Sequence, residues 1–243
     1  MTEAPAQLEA RDVSVRFGGL LALDGVSVRV VKGEVLGLIG PNGSGKTTLL
    51  NVLSGFIRPA SGRIFVEGKH ASGWSPRRLA RNGVGRTFQG VRLFRRLSVY
   101  ENVLVAGLGT RGLGKNPRRG AADLLELMDL SDVGETPAGA LSYGMQRRVA
   151  LARTLATDPR FLLLDEPAAG LNEAESDELI ESVRGVQHER KCAVMIIEHD
   201  VRLIMRLCDR IHVLDYGRTL AEGTPAEVRS NPKVVEAYLG SSA

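Results

Sequence analysis

The chain has 243 residues, of which 43% are hydrophobic and 25% charged, with a net charge of +4. This composition supports one large folded unit with a full core and excludes a fibrous or low-complexity polypeptide. Cationic and acidic residues alternate through most of the chain, so charge alone does not argue for a nucleic-acid partner. No window reaches the ~18 uninterrupted apolar residues of a membrane span, and MTEAPAQLEARDV lacks the basic-then-apolar order of a leader. Cys192 and Cys208 have no metal-ligand spacing and are expected to be buried free thiols of a reducing compartment.

From Leu8 to Val31, apolar and polar residues alternate through LEARDVSVRF and LALDGVSVRV, which predicts β-strands with a turn at Gly18-Gly19. A strand over Glu34 to Ile39 follows and runs into GPNGSGKT, the octet from Gly40 to Thr47. Gly-x-x-x-x-Gly-Lys-Thr between a strand and a helix is a phosphate-binding loop. The glycines let backbone N–H groups close around a β-phosphate, the lysine bridges β- and γ-phosphates, and the threonine hydroxyl ligates Mg²⁺. The loop residues Gly40, Pro41, Asn42, Gly43, Ser44, Gly45, Lys46 and Thr47, with Thr48 after them, are therefore the candidate nucleotide contacts.

A helix from Lys46 to Leu53 should end near Gly55, with a turn at Ser61-Gly62 and a strand over RIFVEG. Ser75-Pro76 predicts a short helix with serine as its cap and proline in its first turn, and VGRTFQ predicts another strand. Residues 90–155 read as predominantly helical, through YENVLVAGL, AADLLELMDL and MQRRVALARTL. Within them, GLGTRGLGKNPRRG is expected to be an exposed, mobile basic loop.

RFLLLD and AVMIIE are short apolar runs of the buried parallel-strand type, separated by a helix with Leu179, Ile180, Val183 and Val186 on one face. VRLIMRLCD reads as a helix, RIHVLD and GRTLAEG as a hairpin about Tyr216-Gly217, and PAEVRSNPKVVEAYLG as a helical end without a disordered tail. The fold class is α/β.

The first of those runs ends in Asp165, Glu166 and Pro167. A carboxylate at the carboxyl end of a buried strand can hold Mg²⁺, often through water, and Glu166 next to it is placed to polarise a water for in-line attack on a γ-phosphate. LSYGMQRR begins a helix with Ser142 and Gly144 on its first turn, where unpaired N–H groups and the positive dipole end suit an anion.

With the loop at Gly40 and the carboxylates at Asp165 and Glu166, this segment resembles the signature sequence of ATP-binding cassette (ABC) proteins, and the resemblance spans almost the whole chain. It implies a P-loop NTPase of ABC type: a mainly parallel core sheet with an N-terminal antiparallel β layer over 1–89 and 156–243, and a helical signature subdomain over 90–155. By residue type alone, Gln89 is a solvated loop amide and His199 a surface histidine. The resemblance implies that Gln89 is the Q-loop glutamine, a Mg²⁺ ligand with Thr47 and Asp165, that Ala168 to Asn172 form the D-loop, and that His199 is the switch histidine, acting with Glu166 and Gln89 in catalysis. Phe17 resembles the aromatic residue that stacks on adenine, with a core phenylalanine as the alternative.

Tyr143, Met145 and Asn172 depart from the general signature and D-loop pattern. RFGGLLALDGVSV, GRTFQGVRLF, LSYG, DEPAAGLN and AEGTPAEVRSNPKVVEAYLG resemble the ATP-binding subunits of branched-chain (hydrophobic) amino-acid importers, in which tyrosine at the first of these positions is typical. Met145 departs from that subgroup as well. The resemblance implies ATP and Mg²⁺ as ligands and a head-to-tail pairing with a second ATPase subunit, identical or paralogous. It implies two membrane permease subunits and, indirectly, a substrate-binding protein as further partners, no nucleic acid, and a place on the cytoplasmic face of the cell membrane. Val91, Leu93 and Phe94, beside Arg92, Arg95 and Arg96, are the candidate permease contacts. An exporter or lipopolysaccharide-type ATPase and a soluble non-transport ABC protein are the alternatives.

Overall fold

The computed structural model describes residues 7–110 and 112–239. Strands β1 (Gln7–Phe17) and β2 (Leu20–Val31) form a hairpin about the expected Gly18-Gly19 turn. Val13, Val15, Val26, Val28 and Val30 are buried, while Arg16, Ser27 and Arg29 are exposed, the period of two of a one-sided sheet. Strand β3 (Val35–Ile39) leads into helix α1 (Lys46–Leu53). Strand β4 (Ser61–Val66) and the short β5 (Lys69–His70) complete an antiparallel sheet in the order β2-β1-β4-β5.

Helix α2 (Pro76–Arg81) has Ser75 as its cap and Pro76 in its first turn, as predicted. Strand β6 (Val84–Arg86) precedes the helical block of α3 (Val99–Leu108), α4 (Pro117–Leu127) and α5 (Tyr143–Leu155). Strand β7 (Phe161–Asp165), helix α6 (Glu173–Arg190), strand β8 (Ala193–Ile197) and helix α7 (Val201–Leu207) come next. The hairpin β9 (Arg210–Asp215) and β10 (Arg218–Gly223) and helices α8 (Pro225–Ser230) and α9 (Pro232–Leu239) end the described chain. The second sheet has the order β10-β9-β3-β8-β7-β6, parallel throughout except for β10 on the edge.

Every residue of β3, β7 and β8 is buried, because both faces of this sheet are covered. On one face, Leu36, Leu38, Phe161, Leu163, Met195 and Ile197 pack with α1 and the inner side of the antiparallel sheet. On the other, Val35, Ile39, Leu162, Leu164, Val194 and Ile196 pack with α6, α7 and the helical block. Phe161 is fully buried, and truncating it to alanine would cost about 3–5 kcal/mol of stability. This layering brings the carboxyl ends of β3 and β7 and the loop after β8 to one edge of the sheet, where parallel α/β sheets bind ligands.

Three expectations need correction. Ser61-Gly62 is not a turn but the start of β4, where a β-carbon on Gly62 would lie 2.4 Å from the Asp12 carbonyl oxygen, so glycine permits the close approach of β1. The strand predicted over VGRTFQ stops at Arg86; Thr87 N–H still donates to the Leu163 carbonyl at 2.9 Å, after which the chain turns away. The basic glycine-rich segment is not simply exposed: Gly107 and Leu108 belong to α3, Pro117 to Gly120 begin α4, and Leu113 is buried. Gly112 packs so tightly on the end of α5 that a β-carbon would lie 2.3 Å from the Ala156 carbonyl oxygen. Its cationic positions Lys115, Arg118 and Arg119 are open to solvent, as are Leu108, Gly109, Gly114 and Asn116; Arg111 and the last residues of the predicted ordered C-terminus lie outside the described residues.

Candidate functional site

Gly40 takes φ +151° and a β-carbon there would fall 2.0 Å from the Leu214 carbonyl oxygen, while one on Gly45, at φ +103°, would fall 2.8 Å from the Ala22 carbonyl oxygen. Only glycine lets the loop lie this close to both sheets. The loop wraps around its own lysine: Lys46 Nζ donates to the carbonyl oxygens of Gly40 at 2.8 Å and Pro41 at 2.9 Å. Burial pushes the Lys46 ammonium below its ordinary pKa, and the negative charge of Glu166 opposes that shift. Ser44 Oγ is buried without a hydrogen-bond partner, and Gly45 at the cap position of α1 supplies no side-chain cap, so the helix's first-turn N–H groups remain free. An orphaned hydroxyl, a desolvated ammonium and an uncapped helix start together suit a bound phosphate.

Asp165, the last residue of β7, is buried, and its Oδ2 accepts from Arg86 Nη2 at 2.8 Å. Arg86 also donates to Asn51 Oδ1 and Ser54 Oγ on the α1 side. Removing Arg86 would leave a buried carboxylate uncompensated, so the pair is a rigid support for the floor of the site. Glu166 sits at φ +47°, uncommon for a residue with a β-carbon. Its Oε1 is 2.8 Å from His199 Nε2 and its Oε2 accepts from Gln89 Nε2 at 2.9 Å. Two residues from distant parts of the sequence thus converge on one carboxylate.

An open cleft of about 520 Å³ is lined by Phe17, Asn42, Gly43, Gly45, Lys46, Thr47, Thr48, Glu166 and His199. Phe17 is 50% exposed there, which rules out a core role. Asp165 lies buried beneath the cleft and Gln89 reaches it through Glu166. Ser142 and Gly144 are elsewhere, in a separate groove with Met145, Leu171 and Glu175. Ser142 caps α5 by accepting from Met145 N–H at 3.3 Å, and a β-carbon on Gly144 would lie 2.7 Å from Glu175 Oε1. Asn172 caps α6, its Oδ1 accepting from Glu175 N–H and Glu175 Oε2 accepting from Asn172 N–H, each at 2.9 Å. Asparagine and aspartate cap helices about equally well, so Asn172 meets the capping requirement of this position. A few residues after Gln89, Leu93 packs on the core, while Phe94 is 50% exposed with the Arg153 guanidinium 5.1 Å from its ring centre.

Sequence reasoning missed Tyr216 and Glu198. Tyr216 is 88% exposed and lines the cleft with Phe17. The Tyr-Gly pair signals a turn, but only folding brings that turn to the phosphate loop, where Gly217 N–H donates to the Ser44 carbonyl at 3.0 Å. Glu198 is buried, and burial pushes its carboxyl above the ordinary range although it accepts from Ala168 N–H at 2.6 Å and His199 N–H at 3.2 Å. It ties the backbone at Ala168 to that at His199.

Residues 23–169 match the ABC transporter family, and residues 218–243 match the branched-chain amino acid ATP-binding cassette transporter family. The chain is 45% identical to the high-affinity branched-chain amino acid transport ATP-binding protein BraF of Pseudomonas aeruginosa, over 97% of this chain and 98% of that one. It is 44% identical to LivG of Escherichia coli K12, a protein of the same description, over 97% and 98%. Among solved structures it resembles the ADP conformation of MJ1267, an ATP-binding cassette of an ABC transporter, with a TM-score of 0.87 and 33% identity over 98% of this chain and all of that one. It also resembles a dimeric structure of MJ0796, a bacterial ABC transporter cassette, with a TM-score of 0.78 and 26% identity over 90% and 98%.

Proposed function

This chain belongs to the ABC transporter family as one of its ATPase cassettes, and from that premise we propose that it powers the import of branched-chain or other hydrophobic amino acids. The observation that carries the hydrolytic role is the convergence of His199 and Gln89 on Glu166 beside the loop that wraps Lys46. The amino-acid assignment is supported by likeness to BraF and LivG along nearly the entire chain and by the match at residues 218–243.

In this reading the loop amides and Lys46 hold the phosphates, and Phe17 carries the adenine on its exposed face. Glu166 takes the proton of the attacking water, held by His199 on one oxygen and Gln89 on the other, and His199 follows the γ-phosphate. The donor set fits Mg²⁺: the Thr47 hydroxyl lines the cleft and the Asp165 carboxylate ends β7, and Mg²⁺ is usually held by one or two carboxylates, waters and substrate phosphates. Thr47, Asp165 and Gln89 would hold it, and it supplies neutralising charge at the phosphates when bound.

Ser142 and Gly144 stand apart from Lys46 within the chain, which supports a pair of sites completed head-to-tail by a second subunit. Hydrolysis then releases the pair, an order-to-release switch of the γ-phosphate kind. Residues 90–155 act as the signature subdomain on a core formed by the remainder. No described helix is long and apolar enough to cross a membrane. The cassette works on two permease subunits from the cytoplasmic face, with Phe94 among its contacts, and a substrate-binding protein delivers the cargo.

The test is reconstitution of the chain with its two permease subunits in vesicles containing ATP, with the substrate-binding protein supplied outside, followed by uptake of labelled leucine. ATP-dependent uptake that disappears with Glu166→Gln is expected. ATP hydrolysis without uptake of any hydrophobic amino acid would overturn the substrate assignment and leave the cassette assignment standing.

A further inference from the structure

Arg147, one turn into α5, is 7% exposed and reaches out of its helix into the loop after β7. Its Nη1 donates to the Glu166 carbonyl oxygen at 3.1 Å, and its Nη2 to the Ala169 carbonyl oxygen at 3.3 Å and to Tyr143 Oη at 2.7 Å. The Tyr143 ring lies over the same guanidinium, 5.0 Å from ring centre to its central carbon, and touches the D-loop, where a β-carbon on Gly170 would fall 3.1 Å from Tyr143 Cε1. Arg147 Nε is buried without a partner, and the side chain borders a small internal cavity of about 20 Å³ shared with Phe88 and Val91 from the segment around Gln89.

The Glu166 peptide needs support. Its φ is +47°, its N–H donates to the Ile197 carbonyl at 3.0 Å, and its own carbonyl accepts from Arg147 and from Ala169 N–H at 3.2 Å. The carboxylate is held on its far side by His199 and Gln89. A shift of α5 must therefore move the Arg147 guanidinium, turn the peptide of Glu166 and re-aim its carboxylate. The same helix carries Ser142 and Gly144 at its first turn, four residues or so before Arg147.

We propose that Arg147, held by Tyr143, is a positioning residue that couples the first turn of α5 to Glu166 of the same chain. This rests on the reading of head-to-tail composite sites: the nucleotide seated against this helix belongs to the other subunit's phosphate loop. Arg147 thereby links the filling of one site to the readiness of the base in the other. Its guanidinium suits the task because a planar fork can donate to two carbonyl oxygens and a phenol at once, which an ammonium cannot match.

The experiment is steady-state and single-turnover hydrolysis of labelled ATP by the purified full chain, with Arg147→Met, Arg147→Lys and each combined with Glu166→Gln. Arg147→Met should lose about 10- to 100-fold in kcat with KM held within about twofold, because misplacing a reacting group costs rate rather than binding. The Hill coefficient for ATP should fall to about 1, and Arg147→Lys should recover part of both losses. In the Glu166→Gln background Arg147→Met should add no further loss, since both act through one group.

Multiplying losses in the double variant, or a wild-type kcat and Hill coefficient in Arg147→Met, would overturn the proposal. Should Arg147→Met fail to fold, Tyr143→Phe, altered only at an oxygen on a half-exposed ring, goes through the same cycle: a few-fold loss is expected, and multiplying losses or wild-type behaviour would again overturn the proposal. A wild-type Hill coefficient of about 1, with no ATP-bound dimer in Glu166→Gln, would instead remove the composite-site reading and the coupling with it.

Discussion

The cleft at the end of β3 and the first turn of α5 both offer donors to an anion, yet they differ in how much of a site each contains. In the cleft, loop, carboxylates and histidine are already joined by hydrogen bonds: Lys46 on two carbonyl oxygens and Asp165 on Arg86 in the less exposed part, and Glu166 between His199 and Gln89 at the solvent-open side. At α5, Ser142 is exposed and Gly144 faces Glu175, in a groove that no residue of the phosphate loop lines. In the proposed head-to-tail pairing, this chain contributes one nearly finished half-site and one bare half-site. A prebuilt cleft tolerates little change in its members, whereas the bare half gains its meaning on assembly.

The largest expected effect breaks the cleft at its base. Glu166→Gln should bind ATP, lose on the order of 10² to 10⁴ in turnover and accumulate as an ATP-bound dimer, read by hydrolysis rate and by light scattering. Normal turnover would remove Glu166 from its role. Next, Gly144→Asp sharpens the contrast by placing a β-carbon and a second negative charge against Glu175. It should lower kcat by about 100-fold while leaving ATP affinity of the isolated chain, measured by fluorescent-nucleotide titration, unaltered, because like charges at an anion-facing surface repel. A loss of affinity in the dilute monomer would join the two halves into one site and break the comparison.

Lys46→Ala should instead weaken ATP binding itself, by about 10- to 100-fold in Kd, the worth of a charge-assisted hydrogen bond in a desolvated place. Phe17→Ala should cost about 1 kcal/mol of affinity, the low end for stacking because the ring is half exposed, with kcat preserved.

The smallest effect tests the hairpin that backs the phosphate loop. Glu222, hydrogen-bonded to buried His212 Nδ1 at 2.8 Å and paired with Arg210, has its carboxyl lowered from 4.5 to about 2, chiefly by the histidine bond. Because the folded pKa lies below the unfolded one, this stabilisation is complete above about 4.5 and is lost as pH falls through about 2. Thermal unfolding midpoints of the wild type should therefore drop more steeply over that window than those of Glu222→Gln. Parallel curves would show that the pair does not contribute.

The residues that carry chemistry were largely legible in sequence because each depends on local constraint. The phosphate loop needs glycine at positions such as Gly40 and Gly45, Asp165 must end an apolar run, and Ser142 must precede a helix, so their spacing shows in the one-dimensional pattern. Gln89 and His199 became legible only through resemblance, since a single amide and a single imidazole carry no periodicity. Tyr216, Glu198 and Arg147 were not legible at all. Tyr216 reads as one half of a turn, the partners of Glu198 are backbone groups, and Arg147, beyond its helix neighbour Tyr143, reaches the carbonyl oxygens of Glu166 and Ala169, contacts that leave no residue-type signal.

The sequence by itself determined the α/β class, the element order, the phosphate loop and the carboxylate pair, because hydrophobic period and glycine placement act over a few residues. Tertiary structure alone decided that the basic glycine-rich segment packs through Leu113 and Gly112, that Phe17 faces the cleft, and that the α5 donors stand outside it. These outcomes depend on which surfaces meet when two sheets and a helical block close around their cores, and contacts between residues far apart in the chain are set by that packing rather than by neighbouring residues.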